Sequence, residues 1–253
     1  MRRVMSAPEN QFDLMLDAAP VGGLSVRRSN RARRMSIRVD PLGSVEVVVP
    51  NRVRPPEVRS FVEENRDWIR RARDHMTGGV ERVTVEPPAH IELKAIGRER
   101  EVVYQDTGVR RLSLKDDGRR ITISGTAAAE HEIFGILTSW LKTEARKVLP
   151  PRLEELGERF GLKHQRVQIR AQRSRWGSCS QRGTISLNCT LLLLDEPLVR
   201  YLLVHELCHL RHMNHSPRFW QLVRRCEADY EELDRRLATA WSELPGWVLV
   251  GRR

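Results

Sequence analysis

The sequence predicts an α+β fold: a β-rich N-terminal region packed on a helical C-terminal region that carries a metal site. Three observations predict it. Apolar residues alternate with polar ones through most of residues 24 to 124, the period of a half-buried strand. From about residue 127 they recur at spacings of three and four, the period of a helix. One of the later helices contains His205-Glu206-x-x-His209. The expected division is a flexible tail over 1–20, a β-rich region over 21–126 and a helical, metal-bearing region over 127–253.

Taken in order, residues 24–50 read as strands. Ile37 and Val39 alternate with Ser36 and Arg38, Asp40-Pro41-Leu42-Gly43 is a turn, and Val45, Val47 and Val49 resume the period of two. Six arginines lie between Arg27 and Arg38 with no acid among them. Solvated charge on an edge strand, where it blocks aggregation, explains such a run. A polyanion patch is the alternative. Pro55-Pro56 opens a helix whose stripe is Val58, Phe61, Val62, Asn65, Trp68, Ile69 and Ala72, ended by Gly78-Gly79. Short β-like runs from Val83 to Ser124, with turns at Asp106-Thr107-Gly108 and Asp116-Asp117-Gly118, predict an antiparallel, meander-like region.

The texture then changes. A long amphipathic helix carries Ile133, Ile136, Leu137, Trp140, Leu141 and Val148 on one side, and Pro150-Pro151 should kink or restart it. A second helix would run to about Phe160, capped by Gly161. VQIRA and TISLNCTLL read as strands around the loop QRSRWGSCSQRG. Asp195-Glu196-Pro197 starts the helix that carries the chemistry, with Asp195 as N-cap. The chain reads helical to about Ala240, followed by a tail with Trp241 and Trp247.

Composition bounds the function. The chain has 253 residues, 40% hydrophobic and 30% charged, enough for a sizeable core. Lys+Arg 44 against Asp+Glu 33 leaves a net charge of +11. That excess concerns solubility and anionic partners, not fold. Almost all of it is arginine; the lysines are Lys94, Lys115, Lys142, Lys147 and Lys163. The first residues hold no unbroken apolar stretch, because Asp13 and Asp17 interrupt it, and no apolar run approaches a membrane span. A cytoplasmic location without membrane association follows, with Cys179, Cys189, Cys208 and Cys226 as free thiols.

His205 and His209 are four apart, so on a helix both imidazoles face one ion from the same side. Glu206 adjoins the first ligand, where it can take a proton from a metal-activated water and pass it to a leaving amine. By chance the pattern arises in about 2% of chains with this histidine content. The flanking Leu202, Leu203, Val204, Leu207, Cys208 and Leu210 are apolar. Two histidines and a glutamate are costly in such surroundings unless paired or metal-bound. Zinc needs a third protein ligand and keeps a fourth position open in catalytic sites. The candidates are His212, His215 and an acid, Glu227 or Asp229. His212 would face away from an ion held between His205 and His209. Asn214, with Ser216 capping a new helix that has Pro217 at its first position, lets the chain turn back and favours His215. Its spacing from His209 also matches metzincins, but those want Gly where this chain has His212, and no Met-turn is obvious downstream.

Arg175-Trp176-Gly177-Ser178-Cys179-Ser180, Ile185-Ser186-Leu187-Asn188, His205-Glu206-Leu207 with His209, and His215-Ser216 with Phe219-Trp220 together resemble the YgjP-like zinc metallopeptidase family, related to SprT-like proteases. Ser29 to Val39 and Pro50 also look like that family, so the resemblance spans about residues 25 to 240. It implies a zincin-like α+β catalytic domain, one zinc on His205, His209 and His215, Glu206 as general base, and peptides or proteins as substrates. Cys226-Glu227-Ala228-Asp229-Tyr230 departs from the Pro-Asp-Tyr ending usual in the family, which bears on helix geometry rather than on the metal.

In the Arg175–Cys179 loop, Cys179 reads as a small buried residue, with a zinc thiolate as the alternative. Trp176 should pack against the site helix. Arg173 or Arg175 is suited to a substrate carboxylate, a main-chain carbonyl or an oxyanion, and equally to a salt bridge holding the loop. His75, His90, His131 and His164 read as surface or cap residues. Three functions compete: a zinc peptidase, a nucleic-acid-associated module whose zinc is structural and whose arginines dominate, and a metal hydrolase of non-peptide amides. A protease recruited to DNA combines the first two.

Overall fold

The computed structural model describes residues 24–30, 32–39, 43–77, 85–127, 130–172 and 175–251, with backbone alone for 75–77. The expected tail, the turn residues Asp40 to Leu42, Gly78-Gly79, Val83 and Arg173 lie outside the described residues. The chain forms two compact units, 1–84 and 85–253.

In the first unit, β1 (Leu24–Ser29), β2 (Ser36–Val39) and β3 (Val45–Pro50) form a sheet in the order β1-β3-β2. β1 is parallel to β3 and β2 antiparallel to it, so both arginine-bearing strands are edges. Val45, Val47 and Val49 bury one face of β3 against Val58 and Ile69 of helices α1 (Pro55–Glu64) and α2 (Arg66–Thr77). The single helix expected here is two. Asn65 ends α1, its side chain donating to the Phe61 carbonyl, and its own carbonyl accepts from Ile69 at the start of α2. Trp68, expected on the apolar stripe, is 46% exposed.

In the second unit, β4 (His90–Leu93), β5 (Arg98–Gln105), β6 (Ser113–Asp116) and β7 (Arg120–Ser124) form a sheet ordered β4-β5-β7-β6. It is not the expected antiparallel meander, because β7 pairs with β5 in parallel. The Asp116–Gly118 turn does make a hairpin of β6 and β7, closed by Asp116 and Asp117 side chains that accept backbone N–H groups. The hairpin then inserts its second strand beside β5.

Helix α3 (Glu130–Phe160) runs unbroken through Pro150 and Pro151. Each proline removes a donor, at a cost of about 3 kcal/mol. Leu149 and Leu153, both fully buried, extend the apolar stripe across the pair, and that burial holds the helix together. The core of this unit joins Ile91, Leu93, Ile121 and Ile123 of the four-stranded sheet to Leu137, Leu141, Leu149 and Leu153 of α3 and to Leu203, Val204 and Leu207. Strands 90–124 therefore share a core with the helices that follow them.

A third sheet, β8-β10-β9, comprises β8 (Arg166–Arg170), β9 (Gly177–Cys179) and β10 (Thr184–Asn188). β9 lies inside the segment expected to be a loop, and residues 189–193, expected to extend the strand, form a 3-10 turn. Helices α4 (Glu196–Cys208), α5 (Pro217–Cys226), α6 (Tyr230–Thr239) and α7 (Gly246–Val250) complete the unit. Asp195 is the N-cap of α4 by position; its carboxylate pairs with Arg236 and makes no capping bond. Among the described residues, no helix is long and apolar enough to cross a membrane.

Candidate metal centre

Helix α4 is buried along nearly its whole length: Leu202, Leu203, Val204, Leu207 and Cys208 are all in the core. Its last turn carries His205 and Glu206, and His209 follows at the C-cap in helical conformation. The chain then turns through 210–216 and restarts at α5, with Ser216 at the N-cap and Pro217 in the first turn. That reversal carries His215 back to the other two. One imidazole nitrogen from each of His205, His209 and His215 lies within 4.8 Å of the other two. The His205 and His215 Nε2 atoms are 3.1 Å apart. Two nitrogens bound to one tetrahedral zinc at about 2.0–2.1 Å stand roughly 3.3 Å apart, so the spacing suits a shared ion.

The rings are oriented for this. His209 Nδ1 is 3.0 Å from the His212 carbonyl, which can only accept. Nδ1 therefore carries the proton and Nε2 keeps the lone pair. His212 thus serves through its backbone, and its side chain is outside the cluster. His205 Nδ1 is 3.3 Å from the Tyr201 hydroxyl, which donates to Asp234 Oδ1 at 2.6 Å. Burial, followed by the neighbouring imidazoles, pulls His205 down to about 3, and burial is also the main cause lowering His209. Both stay neutral, the form that binds metal.

The Phe219-Trp220 pair of the motif walls the cluster. Phe219, fully buried one turn into α5, stacks on His209 with centroids 4.5 Å apart. Trp220 stacks on His215 at 5.5 Å, and Tyr230 stacks on the Trp220 ring. The acids weighed as third ligands are elsewhere: Glu227 pairs with Arg200, and Asp229 is the N-cap of α6.

Glu206 is 4% exposed, and its Oε2 has no hydrogen-bond partner among the described residues. Burial pushes it up to about 8, opposed by the charge of Arg175. A cation nearby would draw it down again. An orphaned buried carboxylate oxygen on the residue that follows His205 fits a metal centre, which would supply both the missing charge and a bound donor.

The Arg175–Cys179 segment supports Glu206. A Cβ placed on Gly177 would lie 2.6 Å from Glu206 Oε1 and 2.9 Å from its Cδ, so only glycine leaves room for this carboxylate. Asn188, fully buried, donates to the carbonyls of Gln172 and Arg175 and holds the segment's entry. Trp176, expected against the site helix, stacks on Trp241 at 3.9 Å and donates to the Leu237 carbonyl. Cys179 lies outside the histidine cluster, and burial followed by the Glu206 charge pushes its thiol up to about 11, so it remains a thiol. His90 and His131 are exposed, and the largely buried His164 side chain is 3.4 Å from Glu154. Sequence reasoning missed the Tyr201–Asp234 contact and the Gly177–Glu206 packing. The quoted motif contained Gly177, but nothing in it named its neighbour.

Among solved structures, the metallopeptidase zymogen of Pyrococcus abyssi abylysin is 30% identical, covering 36% of this chain and 93% of that one with a TM-score of 0.34. The zymogen of Methanocaldococcus jannaschii jannalysin is 21% identical over the same shares, with a TM-score of 0.32. No curated protein matches the chain. The YgjP-like metallopeptidase domain matches residues 33–240, which include strands β2 and β3 of the first sheet and the whole histidine cluster. The chain therefore belongs to the YgjP-like metallopeptidase family.

Proposed function

We propose that the chain is a zinc-dependent peptidase of zincin-like build, with zinc on His205, His209 and His215 and Glu206 as general base. The observation that carries this reading is the unpartnered Oε2 of buried Glu206, adjoining a ligand of the three-imidazole cluster. Structural zinc sites are commonly closed by thiolates, whereas three imidazoles leave a fourth position for chemistry. Zinc bound there supplies Lewis acidity, lowering the pKa of water and polarising the scissile carbonyl. The protein's residues do the rest. The His212 carbonyl holds His209 as its Nδ1–H tautomer, which leaves the lone pair on Nε2. Glu206 takes the proton of the attacking water and delivers it to the leaving amine. The bare backbone at Gly177 leaves the space its carboxylate occupies. The substrates are peptides or proteins, and the four free cysteines suit a reducing, cytoplasmic setting.

The test is metal content and cleavage together. Purified protein should hold about one zinc, lose peptide cleavage on chelation, and regain it when zinc is restored. Glu206→Gln should keep the zinc while cleavage of a peptide library falls by about 10²- to 10⁴-fold. Cleavage that survives in Glu206→Gln sinks the mechanism.

Exposed Arg33, Arg34 and Arg38 motivate a second reading, a nucleic-acid-associated module with a structural ion or a protease recruited to DNA. Of the remaining arginines in that run, Arg27 already pairs with Glu46, and Arg28 donates to the Asn51 carbonyl. Duplex DNA binding that weakens steeply with salt would support the reading; no binding at low salt removes it.

A further inference from the structure

On the reading of the three imidazoles as a zinc site, we propose that Tyr201 and Asp234 are positioning residues that fix His205 as an Nε2 ligand. The argument is a count of protons. A neutral phenol has one. The Asp234 carboxylate, 2.6 Å from the Tyr201 hydroxyl, can only accept while ionised, so that proton points to Asp234. The phenol oxygen is then left as an acceptor towards His205 Nδ1, 3.3 Å away. Nδ1 must carry the ring proton, and the lone pair falls on Nε2, the atom 3.1 Å from His215 Nε2.

The relay is also a brace between helices. Tyr201 and His205 are one turn apart on α4, with rings edge to face at 73°, and Asp234 reaches them from α6. Tyr201 is fully buried, so water has no ready access to replace its hydroxyl. His209 gains the same tautomer from a backbone carbonyl, that of His212, which carries no net charge. The two ligands on the His205–His209 turn are thus held differently. Only His205 is linked to a carboxylate, and that charge, transmitted through the polarised phenol, makes its Nε2 the more basic donor.

The experiment measures zinc affinity rather than turnover. Full-length wild type, Tyr201→Phe and Asp234→Asn are stripped of metal and titrated with zinc against a chromogenic chelator. Tyr201→Phe keeps the buried ring and should weaken zinc about 10- to 100-fold. Asp234→Asn keeps an acceptor oxygen but loses the charge, so it should weaken zinc by a smaller factor. Asp234 is exposed, so this second variant decides the matter if Tyr201→Phe fails to fold. A purely structural tyrosine would lower the thermal midpoint of the metal-free protein and leave zinc affinity alone. Wild-type affinity in Tyr201→Phe, or in Asp234→Asn where only that variant folds, overturns the relay. A wild type that binds no zinc overturns both the relay and the metal site beneath it; tight wild-type binding with unchanged variants overturns the relay alone.

Discussion

The sheets β1-β3-β2 and β8-β10-β9 have the same connectivity. In each, the first strand is parallel to the third, and the second forms the opposite edge, antiparallel to the third. Their second strands differ in what they carry. β2 has the exposed arginine Arg38 and an exposed serine, Ser36, opposite half-buried Ile37 and Val39. β9 is Gly-Ser-Cys, with no long side chain, and its glycine packs directly against Glu206. A charged edge strand keeps other chains away; a bare one lets a helix approach to van der Waals distance. Topology is common to both, and side-chain size at one edge makes one of them part of a site.

Substitutions that exchange these characters should break the comparison where it is strongest. Gly177→Ala forces Glu206 aside, and peptide cleavage should fall about 100-fold with zinc content unchanged; unaltered kcat would show that the close packing is incidental. Removal of Asn188, a fully buried residue whose amide holds two main-chain carbonyls at the entry to β9, should cost stability first. Asn188→Ala is expected to destabilise by about 2–3 kcal/mol, read as a lower denaturant midpoint at constant slope. Cys179→Ala, at the far end of the same strand, should change kcat/KM less than about threefold, since the thiol stands outside the cluster. In the other sheet, the combined change of Arg33, Arg34 and Arg38 to Gln should leave peptide cleavage and zinc content as they were, and alter only salt-sensitive binding to polyanions.

Much of the candidate site was legible because its parts are close in the chain. A spacing of four places His205 and His209 on one turn, and Ser216-Pro217 announces a helix start that reverses the chain at His215. The valines of β3 and the leucines of α4 declared themselves by period and density. Less legible were features that depend on distant partners. Gly177 and Glu206 are far apart in sequence, and a glycine does not reveal what fills the space beside it. Pairing of β7 with β5 in parallel could not be told from a meander, since each strand shows the same alternation whichever neighbour it takes. Pro150-Pro151 looked like a break because local propensity favours one; the burial of Leu149 and Leu153 against the core outweighed it.

By itself, then, the sequence determined the kind of most elements and the turn that bears the histidines, because these follow from spacings within one or two helical turns. Only the tertiary structure decided how the donors are oriented. Tyr201 and Asp234 lie on different helices, and the hydrogen bond that sets the tautomer of His205 exists only where α4 packs on α6. A proton's place on an imidazole is governed by contacts within about 3 Å, and sequence separation carries no information about those.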